Sequence, residues 1–221
     1  VPLPLNNDNN PIFIKGNYAY VVSGVGGLKI INISDPSTQI EVGSISSSSP
    51  SFYSDVYVVD RFAYITDRDA KNFRVIDVIE PTNPKQIGTL DIYDPKDENA
   101  PSIRQTRDLV KPASVFVQGK YAYITSGEGG GAQIIDISDP TKPTFVVSSP
   151  KSSIEYKKVF SVGKYAYLLG SDKKFIVLDL SNIVKPNSTG STTTKGLYDF
   201  DVSGEYAYLV GGTDGLRILN L

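Results

Sequence analysis

The stretch that decides the fold is Gly16-Asn17-Tyr18-Ala19-Tyr20-Val21-Val22, followed by Leu28-Lys29-Ile30-Ile31-Asn32-Ile33. An aromatic-Ala-Tyr segment occurs five times, and each copy is followed 14 or 15 residues later by Asn or Asp. The copies begin at Tyr18, Phe62, Tyr121, Tyr165 and Tyr206, and the later residues are Asn32, Asp77, Asp136, Asp179 and Asn220. The copies are 44, 59, 44 and 41 residues apart. Three intervals match a four-stranded propeller blade, and the fourth adds about 15 residues to such a period.

Each unit predicts the same four antiparallel strands. The first strand alternates around an aromatic or polar centre: Ile12-Phe13-Ile14, Val56-Tyr57-Val58, Val115-Phe116-Val117, Val159-Phe160-Ser161 and Phe200-Asp201-Val202. A short turn, led by glycine in four units and by Asp60 in the second, joins it to the aromatic-Ala-Tyr strand and predicts a hairpin. The third strand is apolar on both faces, which indicates a sheet packed between two other sheets. A weaker fourth strand follows in most units.

Acidic-proline pairs follow the third strand in three units, at Asp35-Pro36, Glu80-Pro81 and Asp139-Pro140, and predict a turn. The Asn or Asp that closes each third strand is expected to bond backbone amides of this turn rather than to serve chemistry. The small Ala in each second strand is expected to let the adjacent sheet approach closely.

These units predict an all-β chain folded as one domain over residues 1–221, a five-bladed β-propeller of four-stranded antiparallel blades. The repeats cover about 11–50, 54–92, 113–150, 157–193 and 198–221, with an insertion at about 93–112. The fifth unit stops after its third strand, so we expect Val1 to Leu5 to complete the last blade and close the ring. The alternative is an excerpt from a longer array, with both ends open.

The third strands, Phe73-Arg74-Val75-Ile76-Asp77-Val78 among them, and the preceding Gly-x-Tyr-Ala-Tyr resemble the LVIVD repeat. This resemblance covers all five units and implies a β-propeller of the kind found mainly in bacterial and archaeal surface or secreted proteins. It implies an extracellular or cell-surface location for a mature or excised chain, and it carries no catalytic residues over. WD40 repeats have a similar period, but the chain contains no Trp and no His.

Composition excludes several function classes. Lys plus Arg is 22 against 24 for Asp plus Glu, so no basic field predicts nucleic-acid binding. The absence of Cys and His removes thiolate and imidazole metal ligands and the common serine triad. No apolar run is long enough to insert into a membrane. No cofactor or metal is predicted; Asp67, Asp69 and Asp172 offer oxygen ligands for calcium, but their spacing does not repeat and they are expected to be surface charges.

Irregular loops and the insertion at Tyr93 to Pro112 are expected to share one face of the propeller, where a rigid scaffold usually binds. The residues that enter the innermost strands should approach the central channel mouth. They are Pro11, Asp55, Ser114, Lys158 and Asp199, with Asp201 two positions further on. Tyr53, Tyr156 and Tyr198 lie at or beside these positions and are candidate platforms for stacking a sugar, although core packing also explains aromatics there.

The sequence therefore predicts a non-catalytic repeat scaffold that binds protein or glycan ligands outside the cell. The alternative is a carboxylate-based glycoside hydrolase, in which Asp55 and Asp199 face one another across the channel and serve as acid and base.

Overall fold

In a computed structural model, the described part of the chain forms 19 strands in five antiparallel sheets. The structure describes residues 10–47, 51–92, 111–127, 131–148, 154–194 and 196–221, and these residues form no helix. No segment within these ranges is therefore a helix able to cross a membrane.

Each sheet is built from consecutive strands in simple up-and-down order. Sheet 1 consists of β1 (Ile12–Lys15), β2 (Tyr18–Val22), β3 (Leu28–Asn32) and β4 (Ile40–Ile45). Sheet 2 consists of β5 (Tyr53–Val59), β6 (Phe62–Asp67), β7 (Asn72–Asp77) and β8 (Lys85–Asp91). Sheet 3 consists of β9 (Pro112–Gln118), β10 (Tyr121–Ser126), β11 (Ala132–Asp136) and β12 (Thr144–Ser148). Sheet 4 consists of β13 (Tyr156–Val162), β14 (Tyr165–Gly170), β15 (Lys174–Asp179) and β16 (Asn187–Thr193). Sheet 5 consists of β17 (Leu197–Ser203), β18 (Tyr206–Gly211) and β19 (Gly215–Asn220).

The predicted hairpins between the first two strands are confirmed. Gly16, Gly119, Gly163 and Gly204 have φ values of 56° to 60°, the left-handed region that glycine enters without steric cost. Asp60 takes the same conformation at φ 50°, so the second unit keeps the turn geometry with a residue that tolerates it less well.

The Asn or Asp at the end of the third strand has the structural role that the sequence predicted in sheets 1 to 4. In sheets 1 to 4 its Oδ1 accepts the amide N–H two residues later: Ser34 to Asn32, Ile79 to Asp77, Ser138 to Asp136 and Ser181 to Asp179, at 2.7 to 3.0 Å. The Ser138 and Ser181 bonds lower the pKa of Asp136 and Asp179 because they favour the ionised carboxylate. These side chains are therefore engaged in turns and are not free for chemistry.

Successive sheets pack face to face in sequence order. The tyrosine face of a sheet carries the second tyrosine of its aromatic-Ala-Tyr segment, and the alanine face carries the alanine. Between sheets 1 and 2, Tyr20, Val22, Leu28 and Ile30 of a tyrosine face pack against an alanine face. That alanine face consists of Val56, Val58, Ala63, Ile65 and Ile76. The same arrangement recurs between sheets 2 and 3, 3 and 4, and 4 and 5. The apolar character of both faces is thus explained by burial on both sides.

One boundary differs from the sequence expectation. Pro112, predicted to end the insertion, is buried as the first residue of β9, a strand position where proline's missing N–H is tolerated. Sheet 5 has three strands within the described residues. Val1 to Leu5 lies outside those residues, as does the insertion from 93 to 110. Ring closure by the N-terminal strand stays a prediction, as does the extent of the single domain.

The outer strands meet the next sheet at glycines. A Cβ built on Gly43 in β4 would overlap the carbonyl oxygen of Pro81, in the acidic-proline turn of sheet 2. Gly88 in β8 meets Pro140 of sheet 3 in the same way. The acidic-proline turn therefore breaks its own strand and also packs on the preceding sheet, at a place where no side chain fits.

We expect Gly43→Ala and Gly88→Ala each to lower the free energy of unfolding by about 1 to 3 kcal/mol, because the new methyl group displaces a backbone carbonyl. Gly190→Ala, at the equivalent position of β16, is the matched control, since nothing lies within 4 Å of its added Cβ. Its effect should stay within about 0.5 kcal/mol. Urea unfolding measures all three, and equal losses would contradict the close contact.

Candidate functional site

The innermost strands bring an arc of aromatic side chains together. Phe13, Tyr57, Phe116 and Phe160 occupy the central position of β1, β5, β9 and β13, and successive ring centroids lie 4.7, 4.8 and 4.6 Å apart. All four rings are partly buried. Asp201 occupies the fifth position and is exposed. The shared surface was not predicted, but the recurrence of the aromatic centre at one register of the first strands was the signal for it.

Asp55 lies two residues before Tyr57 of this arc, and backbone amides of two sheets donate hydrogen bonds to its carboxylate. Its Oδ1 accepts the N–H of Val56 at 2.8 Å, and its Oδ2 accepts the N–H of Val115 in sheet 3 at 2.9 Å. Burial raises the pKa of the Asp55 carboxyl to about 6, against the opposing influence of these amides, the Ser114 hydroxyl and the Lys158 ammonium. Asp55 therefore joins sheet 2 to sheet 3 and titrates close to neutral pH.

Lys158 and Asp199 form an ion pair between sheets 4 and 5. The Lys158 Nζ donates to Asp199 Oδ1 at 2.6 Å and to the carbonyl oxygen of Phe200 at 2.9 Å. The side chains of Lys158 and Asp199 are 37% and 60% exposed. Asp55 thus contacts sheet 3, and Asp199 contacts sheet 4. The hydrolase hypothesis needs a free carboxylate at Asp199, but Lys158 pairs with it.

The three candidate tyrosines have different environments. Tyr53 and Tyr156 are only 2% and 8% exposed and belong to the core, whereas Tyr198 is 73% exposed. The difference follows from a β-bulge: the register shifts between Tyr53 and Asp55, and again between Leu197 and Asp199. Tyr198 occupies the additional bulge residue, while Tyr53 and Tyr156 lie one position earlier, where the side chain points inward. The two buried tyrosines are not available as stacking platforms.

The exposed ring of Tyr198 rests on a glycine of the following loop. A Cβ added at Gly212 would lie 3.2 Å from Tyr198 Cε2 and 3.4 Å from its hydroxyl oxygen. The Gly212 N–H donates to the carbonyl of Gly196 at 2.9 Å, which ties this loop to the entry of β17. One side of the ring is therefore supported by backbone. The exposed set that remains from the sequence candidates is Tyr198, Lys158, Asp199 and Asp201, and we refer to it as the Tyr198 site.

The expectation that Asp67 is a surface charge was wrong. Its side chain is fully buried in sheet 2, where Oδ2 lies 2.9 Å from Arg74 Nη2. Oδ1 accepts the N–H groups of Phe52 and Ala70 at 2.9 and 3.1 Å. Asp69 instead forms an exposed pair with Arg68. Within the described ranges, no group of three or more acidic side chains is placed to hold a metal ion.

We expect wild-type stability to fall relative to Asp55→Asn as the pH rises from 4 to 7. The folded-state pKa of Asp55 is about 6, above its ordinary value of 3.8, so its favourable contribution is complete below pH 4 and is lost through pH 6. The change between the two limits is at most about 3 kcal/mol. Urea unfolding as a function of pH measures it.

Asp201→Asn is the control for the pH series, because its carboxylate is exposed on the same inner-strand surface. A constant difference between wild type and Asp55→Asn from pH 4 to 7 would contradict a raised pKa.

Asp67→Ala should lower the free energy of unfolding by about 3 to 5 kcal/mol, because Arg74 loses its buried counter-ion and two amides lose their acceptor. Asp69→Ala removes an exposed pair two residues away and should cost no more than about 1 kcal/mol. Chemical unfolding of both variants distinguishes the two environments; similar losses would show that burial is not decisive.

Solved structures with this arrangement of sheets are propeller-like, although their sequences have diverged widely. The periplasmic gluconolactonase PpgL of Pseudomonas aeruginosa is 12% identical with a TM-score of 0.71, over 93% of this chain and 63% of that one. A putative 6-phosphogluconolactonase of Bacteroides fragilis is 11% identical with a TM-score of 0.69, over 95% and 65%. The β-propeller domain of Cps50 (Swd1) from Myceliophteria thermophila is 8% identical with a TM-score of 0.68, over 93% and 66%. The chain thus spans roughly two thirds of the length of these structures.

The fold and its repeated sheets place the chain in the class of propeller-like repeat proteins. The family model of the LVIVD repeat matches residues 8–47, 53–92, 111–149 and 157–194. The chain belongs to the LVIVD repeat family, as its sequence motifs predicted. Sheet 5 lies outside these four matches. No curated protein sequence matches the chain.

Proposed function

We propose that this protein is a non-catalytic binding scaffold that holds a glycan at the Tyr198 site. The observation that carries the proposal is the supported, exposed ring of Tyr198 at the entry of β17, next in sequence to Asp199 and its ion pair with Lys158. Since Gly212 supports one side of the ring, the ring is offered as a fixed surface, and little conformational entropy is lost when a ligand stacks on it.

The chemistry of this site suits a sugar. An aromatic ring presents an apolar face to the C–H groups of a pyranose, while its hydroxyl keeps a polar edge. The Asp199 carboxylate accepts and the Lys158 ammonium donates hydrogen bonds, which complements the alternating donors and acceptors of sugar hydroxyls. Asp201 adds a second exposed carboxylate on the same strand. A protein ligand is the other class proposed for this surface.

The absence of catalysis in this proposal rests on how the two carboxylates are engaged. Asp55 accepts two backbone amides and Asp199 accepts a lysine ammonium, so each has a structural partner in the adjacent sheet. The location proposed is extracellular or at the cell surface, in line with the family resemblance.

A glycoside hydrolase is the second candidate, and one observation favours it. Burial raises the pKa of Asp55 to about 6, as a general acid requires, and Asp199 supplies a second carboxyl group, which is paired with Lys158. Lactonase activity of the solved structures named above belongs to those proteins, because at 11% to 12% identity the likeness concerns the fold.

Screening of the purified chain on an oligosaccharide array, followed by calorimetry on any ligand found, tests the proposal. Tyr198→Ala should weaken binding about tenfold or more, because the stacking surface is lost. Tyr206→Ala is the matched control, since Tyr206 is an exposed tyrosine of the same sheet. Binding that is equal in wild type and Tyr198→Ala would overturn the site, and silence across the array would favour a protein ligand.

Turnover of a bound oligosaccharide would instead support the hydrolase. In that case Asp55→Asn should abolish turnover while leaving ligand affinity within about threefold of wild type, because Asp55 acts on the reacting bond and not as the stacking surface.

A further inference from the structure

Sheet 5 has an uncovered tyrosine face. Val210, Leu216 and Ile218 are 50%, 62% and 57% exposed. Their equivalents in sheet 1, Val22, Leu28 and Ile30, are 0% exposed because sheet 2 covers them. The same residue types therefore lie in the same places, but no sheet among the described residues covers them in sheet 5.

On the complementary alanine face of sheet 1, the inner strand β1 is exposed, whereas Ala19 and Val21 of β2 are 8% and 1% exposed. Ile12 and Ile14 of β1 are 57% and 64% exposed, whereas the equivalent Val56 and Val58 of sheet 2 are 4% and 3% exposed. The described residues thus leave the tyrosine face of sheet 5 and the inner strand on the alanine face of sheet 1 exposed. The contact between a tyrosine face and an alanine face is formed four times inside the chain, so its chemistry is known from the structure itself.

We propose that these two faces are docking surfaces for a unit of two or three further sheets of the same repeat class, which completes the ring. The unit would present an alanine face to sheet 5 and a tyrosine face to sheet 1. Scattered exposed apolar residues are ordinary on a surface, but a contiguous row of them at positions that are otherwise buried marks an interaction site. The proposal does not rest on the proposed function.

The share of known propeller structures that the five sheets cover indicates how many sheets the docking unit contains. The five sheets superpose on 66% of the Cps50 propeller domain, with a TM-score of 0.68, and on 63% of PpgL. Five sheets that fill this share of a ring correspond to about seven or eight sheets in all, within the usual range for propellers. A second whole copy of the chain brings five sheets, too many for such a gap, so a head-to-tail copy would not close the ring.

The polar groups at the edge of sheet 5 fit the same partner. Asp199 has the position in β17 that Asp55 has in β5, and Asp55 accepts an amide of the next inner strand, that of Val115. Asp199 would accept the equivalent amide of a docked sheet, and that sheet would add a further wall to the Tyr198 site.

At the outer side, a groove of about 370 Å³ lies between sheets 4 and 5 beside Gly190. In sheets 1 and 2 the equivalent glycine is covered by an acidic-proline turn.

A matched pair of substitutions tests whether the tyrosine face of sheet 5 is uncovered in the 221-residue chain. Ile218→Ser should change the melting temperature by less than about 2 °C, because a partly exposed side chain loses little burial. Ile30→Ser, at the equivalent buried position of sheet 1, should lower it by about 10 °C. If both variants lose the same amount, the face is covered within the chain by ring closure, and the proposal is overturned.

An extended chain tests the identity of the partner. Leu221 is equivalent to Ile33, so residues 34–148 fused after Leu221 supply a fourth strand for sheet 5 and two further sheets in repeat register. We expect the 221-residue chain to bind a hydrophobic dye at its exposed faces. We expect the fused chain to be monomeric and to bind less of this dye, and we expect Ile218→Ser to destabilise the fused chain as much as Ile30→Ser does.

Two results would overturn the docking unit while leaving the glycan proposal unaffected. One is a fused chain in which Ile218→Ser remains harmless. The other is a 221-residue chain that forms a defined dimer in light scattering, with the dimer lost in Ile218→Glu, because the occupant is then a second copy. Glycan binding is read out separately on the array.

Discussion

The packing of a tyrosine face on an alanine face is the constraint on which the structure depends. Each sheet is apolar on both sides, so a single sheet is not stable in water, and sheets 2 to 4 are each covered on both faces by their neighbours. The alanine keeps the second strand thin on one side, and buried Ala63, Ala122 and Ala207 are each 0% exposed beneath the preceding sheet. The order of the sheets, the position of the inner strands and the aromatic arc all follow from repeating this contact.

Much of this organisation was predictable from residues that recur at one position in every unit. The aromatic-Ala-Tyr segments, the glycine-led hairpins and the Asn or Asp that closes the third strand each report a local requirement of the backbone, and the structure confirms them. The ends of the third and fourth strands agree with the sequence patterns to within one or two residues, whereas β5, β9, β13 and β17 begin three residues before the patterns that predicted them. Such features depend on turn chemistry and on alternation along one strand, which a sequence displays directly.

The site residues were harder to place because their environments depend on neighbours from other strands. A bulge moves Tyr198 one position relative to Tyr53 and Tyr156, and this single residue separates a surface ring from two core rings. Asp67 is buried because Arg74, opposite Ile65 on the adjacent strand, lies diagonally within reach. Neither the bulge nor the diagonal partner leaves a mark in the local sequence, and the amide that Asp55 accepts comes from 60 residues further along.

The polar contacts between inner strands have a consequence for assembly. The five sheets have nearly the same apolar faces, so apolar contacts alone do not distinguish one sheet from another. A folding chain can therefore pack two sheets that are not neighbours in the native structure. The polar contacts between adjacent sheets differ, however. A carboxylate meets a main-chain amide between sheets 2 and 3, a serine hydroxyl donates to Gln118 between sheets 3 and 4, and an ammonium bridges a carboxylate and a carbonyl between sheets 4 and 5. If two sheets pack in the wrong order, at least one of these groups loses its hydrogen-bond partner. The polar contacts between sheets therefore disfavour incorrect orders of the sheets.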